Sequence, residues 1–161
     1  MRETTLCYIE RGHEYLMLHR TKKENDANHD KWIGIGGHIE PGETPETCLL
    51  REAMEETGLT LTEYRRRGVV RFRSDVCEDE DMHLFTATGF SGTIRDCDEG
   101  DLEWIDRTRL RDLTLWAGDR IFLKLLEEDA PFFDLTLQYH GDALAGAVLN
   151  GARLSAGWEE P

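Results

Sequence analysis

Short apolar runs separated by polar turn residues recur along this chain and predict several β-strands. The first two runs, 4–9 and 14–20, flank Gly12 and predict a hairpin. Residues 21–31 are polar and predict a loop. Further strand-like runs lie at 32–39, where glycines are frequent, and at 64–73, 82–90, 102–105, 132–139 and 143–149, the last two joined through Gly141-Asp142.

Helical spacing predicts two helices. The first spans 45–57, because Thr44 is a good N-cap, Pro45 suits the first helical position and Gly58 suits the position after the last turn. The second lies near 117–128. Mixed strands with two helices predict an α+β (α/β) class, with a sheet sandwiched between helices.

Length and charge narrow the function. The 161 residues predict one domain over 1–161, and the net charge of −14 argues against a nucleic-acid polymer or an anionic membrane as partner. An acidic protein can still bind phosphates through divalent cations. The four cysteines are not spaced as zinc ligands, and we expect them to be reduced thiols. We expect a cytoplasmic protein, because no signal peptide or long apolar run is evident. The acidic stretch 78–81 is interpreted as a solvated hairpin tip rather than a metal site.

Three glutamates crowd one face of the first predicted helix. At 100° per residue, Glu52, Glu55 and Glu56 fall within a fan of about 100°. Like charges at this spacing destabilise a helix by a few tenths of a kcal/mol per pair. A divalent cation such as Mg²⁺ would reverse the sign of that interaction. The alternative is a solvated acidic face without further function.

The residues around this helix carry a longer motif. Gly37, Glu43 and the run Arg51-Glu52-Ala53-Met54-Glu55-Glu56-Thr57-Gly58-Leu59 are spaced as G-x5-E-x7-R-E-U-x-E-E-x-G-U, where U is apolar. In this motif, at 37–59, the sequence resembles the Nudix hydrolases. The resemblance implies a mixed sheet between helices, closed here by a C-terminal β-hairpin, and a motif that forms loop, helix and loop.

The resemblance also implies roles for individual residues. Glu52, Glu55 and Glu56 would bind Mg²⁺, with Mn²⁺ able to substitute, alongside the backbone carbonyl of Gly36. Glu55 or Glu56 would accept a proton from the attacking water. Arg51 and Glu43 would pair and orient the ligands. Glu99 resembles an additional acid that some members supply from outside the motif, although an exposed loop glutamate is an equal alternative.

Beyond the motif, the chain resembles the MutT branch, which cleaves oxidised purine nucleoside triphosphates. Trp116 and Phe72 would then form flat walls for a base, with core packing as the alternative. Asp119 would form hydrogen bonds with the edge of the base; the alternative is a charge that only stabilises a helix N-terminus. Arg20 would bind a phosphate of the substrate; the alternative is an ordinary surface charge. Lys22 and Lys23 are weaker candidates for phosphate contact.

Two positions depart from the animal members of that branch. Ile33 stands where those members have an asparagine. They carry two consecutive acids at the positions of Gly118 and Asp119, and here only Asp119 is acidic. Base recognition is therefore expected to be looser, or to use Asn25 or Asn28.

The expected function is a Mg²⁺-dependent pyrophosphohydrolase, of the 8-oxo-dGTP diphosphatase type, that converts a nucleoside triphosphate into the monophosphate and pyrophosphate. Such an enzyme would sanitise the nucleotide pool in support of DNA repair, as a monomer or a homodimer. The alternatives are hydrolysis of another nucleoside diphosphate derivative such as ADP-ribose, a non-catalytic nucleotide-sensing module, or RNA-cap removal, which the lack of a basic patch disfavours.

Overall fold

The computed structural model describes residues 1–22 and 28–155. Across these residues, two α-helices are present, α1 (Pro45–Thr57) and α2 (Ala117–Glu127), with a short 3₁₀ turn at Arg107–Asp112. The strands are β1 (Arg2–Arg11), β2 (Glu14–His19), β3 (Trp32–Ile33), β4 (Ile35–His38), β5 (Leu59–Ser74), β6 (Glu80–Gly92), β7 (Asp101–Asp106), β8 (Phe133–His140), β9 (Ala143–Leu149) and β10 (Ala152–Arg153). No helix in the described residues is long and apolar enough to cross a membrane.

The strands form one mixed sheet in the order β10-β9-β8-β5-β6-β1-β2-β3, with β4 paired to β1 and β7 paired to β2. The pairs β1–β6 and β5–β8 are parallel, and the other pairs are antiparallel. The predicted hairpin through Gly12 is present, as is the C-terminal hairpin β8–β9. The expected mixed sheet sandwiched between helices is confirmed.

Strand alternation builds a core on each face of the sheet. Leu6 and Tyr8 of β1 lie in one core together with Phe122 of α2. Their neighbours Cys7 and Ile9 lie in the other core, under α1. Because successive side chains of a strand point to opposite faces, β1 separates the two cores. The two helices therefore cover opposite faces of the sheet.

Two predictions about the strands needed correction. The run 32–39 is not one strand: β3 pairs with β2 and β4 pairs with β1, with Gly34 between them. A Cβ at Gly34 would lie 2.7 Å from the carbonyl oxygen of Cys7, so only glycine allows this close approach of the backbones.

The acidic stretch 78–81 is also not simply a solvated tip. Glu80 and Asp81 belong to β6, and Asp81 is buried. Arg71 lies 2.8 Å and Arg73 3.1 Å from the Asp81 carboxylate. These ion pairs compensate the buried charge, which the local sequence could not show because both arginines come from the neighbouring strand β5.

Candidate active site

The loop and helix that carry the motif are fixed by local interactions. Thr44 Oγ1 accepts a hydrogen bond from the backbone N–H of Thr47 at 3.1 Å, and Thr47 Oγ1 accepts from the N–H of Thr44 at 2.9 Å. This reciprocal capping fixes the N-terminus of α1. Gly58 ends the helix with φ of +81°, a conformation that favours glycine. The helix therefore begins and ends where the sequence predicts.

Arg51 organises the acids of the motif. Its Nε and Nη2 atoms donate to the two carboxylate oxygens of Glu43, at 2.7 and 2.9 Å. Its Nη1 atom donates to Glu52 at 2.8 Å and to Glu55 at 3.1 Å. The hydrogen bonds from Arg51 lower the pKa of Glu43 to about 2. Arg51 thus ties the loop to the helix and holds three carboxylates in place.

Glu56, Glu52 and Glu99 form a close group of acids. The buried Glu56 carboxylate accepts a hydrogen bond from the backbone N–H of Gly36 at 3.2 Å and is in hydrogen-bond contact with Glu99. Burial, followed by the charges of Glu99 and Glu52, raises the pKa of Glu56. Burial also raises the pKa of Glu52. Glu56 and Glu52 therefore bind protons more tightly than ordinary carboxylates, because burial penalises their charged forms and the acids beside them repel a further negative charge.

Arg20 lies beside this group. It follows β2, and its Nη1 atom donates to Glu99 at 3.0 Å. Lys22 donates to the backbone carbonyl of Cys97 at 2.6 Å, on the same loop as Glu99. Arg20 is mostly buried, with 14% of its side chain exposed, so it is not a plain surface charge.

The predicted base-binding residues converge on one tyrosine. The ring of Tyr139, on β8, lies 6.3 Å from the ring of Phe72 and 5.7 Å from that of Trp116. Its hydroxyl accepts a hydrogen bond from the backbone N–H of Gly118 at 2.8 Å. The Trp116 indole N–H donates to Asn28 Oδ1 at 2.7 Å, and Lys31 Nζ lies 4.9 Å from the ring centroid. Both Phe72 and Trp116 are only half-buried.

Asp119 lies in the first turn of α2 and is buried. Burial raises its pKa to about 7, against the opposing effect of Arg120 and Lys31. Tyr8, beneath α2, is fully buried, and its hydroxyl has no hydrogen-bond partner within the described residues. The charge of Asp119 contributes to the raised pKa of both Tyr8 and Tyr139. A polar group is therefore enclosed among aromatic rings at this end of α2.

Comparison with known proteins settles the family. The chain matches the NUDIX domain over residues 1–126. The chain belongs to the Nudix family. The fold agrees: the crystal structure of a MutT protein from Bacillus halodurans superimposes with a TM-score of 0.83, at 24% identity, covering 93% of this chain and 98% of that one.

Two curated relatives match parts of this Nudix protein. An oxidized purine nucleoside triphosphate hydrolase from Danio rerio is 33% identical over 104 residues, which cover 63% of this chain and 66% of the relative. A NAD-capped RNA hydrolase from Vibrio atlanticus is 37% identical over 83 residues, which cover 49% of this chain and 29% of the relative. The match therefore spans just under two thirds of the first relative and less than a third of the second.

Nudix hydrolases generally use divalent metal cations, and the residues of this chain fit such an ion. Glu52, Glu56 and Glu99 offer oxygen ligands, which Mg²⁺ prefers. A Cβ on Gly37 would lie 2.5 Å from the Glu52 carboxylate, so the glycine leaves room that a side chain would fill. As the side chains are placed, no three acids, histidines or cysteines in the described residues stand at ligand distances. Arg51 holds Glu52 and Glu55, and Glu55 is 59% exposed.

Local spacing found the motif residues of this Nudix domain but missed Tyr139 and Tyr8. Both belong to strands whose alternation predicts a buried side chain, yet nothing in the sequence shows what those side chains contact. Asn28, one of two suggested asparagines, contacts Trp116. The other, Asn25, lies outside the described residues, as does Lys23.

Proposed function

We propose that this Nudix hydrolase is a Mg²⁺-dependent pyrophosphohydrolase of oxidised purine nucleoside triphosphates such as 8-oxo-dGTP. It would release the nucleoside monophosphate and pyrophosphate and so remove damaged precursors from the nucleotide pool. The observation that carries the proposal is a group of three carboxylates, Glu52, the buried Glu56 and Glu99, together with aromatic side chains near the buried Asp119. The name of the Danio rerio relative supports the same substrate class.

The carboxylate group supplies the chemistry at the diphosphate. A bound divalent cation would neutralise the phosphate charge and acidify the attacking water. Glu52, Glu56 and Glu99, with the carbonyl of Gly36, would hold it. Arg51, paired with Glu43, orients Glu52 and Glu55, a supporting contact of the kind that tunes metal ligands. Arg20 lies next to Glu99 and can donate to a phosphate oxygen.

The reaction requires one water molecule and releases one pyrophosphate. The water oxygen forms a bond to a phosphorus of the triphosphate, and the bridging P–O bond to the leaving pyrophosphate breaks. A carboxylate accepts the proton of the water. Glu55 and Glu56 are the two candidates for this role: Glu55 is hydrogen-bonded to Arg51, and Glu56 accepts a hydrogen bond from the backbone N–H of Gly36.

The aromatic side chains near Asp119 suit a purine. Phe72 and Trp116 offer two half-buried aromatic faces, and Asn28 fixes the orientation of the Trp116 ring. With a pKa of about 7, Asp119 is present in both forms at neutral pH. Its protonated form donates a hydrogen bond and its ionised form accepts two or more, which matches a base edge carrying both donors and acceptors.

Product analysis tests this proposal. The protein is incubated with 8-oxo-dGTP, dGTP and ADP-ribose in Mg²⁺, and the products are ranked by kcat/KM. We expect monophosphate and pyrophosphate from the triphosphates, with 8-oxo-dGTP the best substrate. Release of AMP from ADP-ribose, with no monophosphate from any triphosphate, would move the protein to another branch of the family.

Variants of the motif separate an enzyme from a nucleotide-binding module. Glu52→Gln and Glu56→Gln keep the shape of the side chain but remove its charge, and we expect each to lower kcat by about two orders of magnitude or more. Glu63→Gln is the matched control, because Glu63 is an exposed acid on β5. Tight nucleotide binding without turnover in the wild type would instead indicate a sensing module.

A second candidate is hydrolysis of a dinucleotide-type substrate, such as ADP-ribose or a NAD-derived cap. The name of the Vibrio atlanticus relative favours it, over the shorter matched region. Such a substrate shares the diphosphate bridge, so the same carboxylate group would serve. The panel above distinguishes it through the ADP-ribose arm.

A further inference from the structure

A cationic groove lies apart from the residues of the candidate active site. It is formed by residues 65–67 of β5 and by residues 129–132, which connect α2 to β8. Its volume is about 340 Å³, which is within the range of pockets that bind small molecules. Because three consecutive arginines line it, we refer to it as the arginine groove.

Two of its arginines share one carboxylate oxygen. Arg65 and Arg67 both donate to Asp129 Oδ1, at 2.7 and 2.8 Å. The Arg67 guanidinium is 8% exposed and donates also to Thr86 Oγ1 at 3.1 Å. Burial and the neighbouring Arg65 lower the pKa of Arg67, against the opposing effect of Asp129. Asp129 itself is 75% exposed and leaves most of its surface to solvent.

The third arginine of the groove is Arg66. Within residues 1–22 and 28–155 no carboxylate pairs with Arg66, which instead contacts the Nδ1 atom of His83. Burial and the charge of Arg66 lower the pKa of His83. The Arg66 guanidinium lies 5.6 Å from the ring of Phe132, and 58% of Phe132 is exposed.

The charges at the groove define the ligand. Three guanidinium groups and one carboxylate leave two positive charges, in a chain whose net charge is −14. A phosphate monoester carries close to two negative charges at neutral pH. Guanidinium groups bind phosphate oxygens in bidentate geometry. Phe132 adds an exposed flat face against which an organic ring can pack.

We propose that the arginine groove binds a phosphate monoester, with the phosphate at the Arg66 guanidinium and an organic ring against Phe132. A nucleoside monophosphate and another small phosphate ester share this chemistry. A nucleic-acid polymer fits less well, because the strongly acidic remainder of the protein repels a long polyanion. The proposal is independent of the substrate of the active site, since the groove shares no residue with it.

A titration followed by ¹H–¹⁵N correlation spectra tests whether the ligand binds at the arginine groove. The wild-type protein in EDTA is titrated with inorganic phosphate, with GMP and with guanosine, which lacks the phosphate. We expect the backbone amides of residues 65–67 and 129, 130 and 132 to shift with phosphate and more tightly with GMP, and not with guanosine. Unmoved amides in this segment, or equal shifts with guanosine, would overturn the proposal.

Arginine variants provide the matched comparison. Arg66→Gln and Arg65→Gln should each weaken GMP binding at these amides by roughly tenfold or more, because a charge-assisted hydrogen bond is lost. Arg109→Gln is the control, since Arg109 is an exposed arginine of the 3₁₀ turn. Turnover at the active site should be unchanged in Arg66→Gln. Unaltered GMP affinity in both groove variants, or tighter binding of a single-stranded oligonucleotide than of GMP, would contradict the assignment.

Discussion

At the scale of single residues, the candidate site depends on how each charge is compensated. Arg51 is shared among Glu43, Glu52 and Glu55, whereas the buried Glu56 accepts a hydrogen bond from the backbone N–H of Gly36 and has a second carboxyl beside it. A guanidinium can pair with acids on two sides because its five N–H groups form a planar fork. Lysine at position 51 would lose that arrangement.

Asp119 gives a pH-dependent contribution to stability. Its folded-state pKa, about 7, lies above the usual value of 3.8, so the folded protein binds the extra proton between these values. Stability that depends on Asp119 is therefore complete below about pH 4 and is lost as the pH rises to about 7. Asp119→Asn should remove this dependence and raise the free energy of unfolding above pH 7, relative to wild type, by up to about 4 kcal/mol.

Urea unfolding of both proteins from pH 4 to pH 8 measures this difference. The gap between Asp119→Asn and wild type should widen with pH and then become constant. A gap that does not change with pH would mean that Asp119 is not buried as a protonated acid.

Tyr8 carries a buried hydroxyl with no partner among the described residues. Such a group retains its desolvation cost, so Tyr8→Phe should raise the free energy of unfolding by about 1 kcal/mol. Thr5→Val, in β1 too, is a useful comparison, because the Thr5 hydroxyl lies in hydrogen-bond contact with Cys48 and its loss should destabilise the protein. Thermal or urea unfolding measures the stability of both variants. A clear loss of stability in Tyr8→Phe would show that the Tyr8 hydroxyl has a hydrogen-bond partner.

At the scale of elements, the junction of β4 and α1 places the acids. Gly36 and Gly37 are in β4, which pairs with β1, and α1 begins after the loop that contains Glu43. The backbone of the strand thus lies against the carboxylates of the helix. Glycine is needed there because a side chain on Gly37 would occupy the place of the Glu52 carboxylate.

Gly37→Ala tests this close approach. The new Cβ would lie 2.5 Å from the Glu52 carboxylate, at the end of a flexible side chain that can move away. We expect little change in the free energy of unfolding, but a loss of turnover of roughly tenfold or more, because the displaced carboxylate no longer stands in place. Gly146→Ala is the control, since its new Cβ would meet only the end of Arg153 at 3.3 Å. An unchanged kcat in Gly37→Ala would show that turnover does not depend on the position of the Glu52 carboxylate.

At the scale of the whole molecule, the sequence predicted what local patterns determine. The bounds of α1 follow from Thr44, Pro45 and Gly58, and the cluster of Glu52 and Glu56 follows from helical spacing. The parallel pairing of β5 with β8, which brings Phe72 near Tyr139, joins segments far apart in the chain and has no local signal. The ion pairs of Asp81 were missed for the same reason.

The arginine groove also appears only in the folded molecule. Residues 65–67 stand out in the sequence as basic, but their meaning depends on the loop that brings Asp129 and Phe132 against them. The net charge of −14 describes an acidic protein, whereas the fold separates a cationic groove from the acidic site. Expectations drawn from net charge alone therefore hold for the surface as a whole and not for each part of it.

The most direct test of the account is a Mn²⁺ titration followed by electron paramagnetic resonance, since bound Mn²⁺ loses the sharp signal of the free ion. Wild type and Glu63→Gln should bind Mn²⁺ equally, and Glu52→Gln and Glu56→Gln should bind it at least about tenfold more weakly, because each loses a charged oxygen ligand. Equal Mn²⁺ affinity in all four proteins would contradict the claim that these carboxylates hold the catalytic cation.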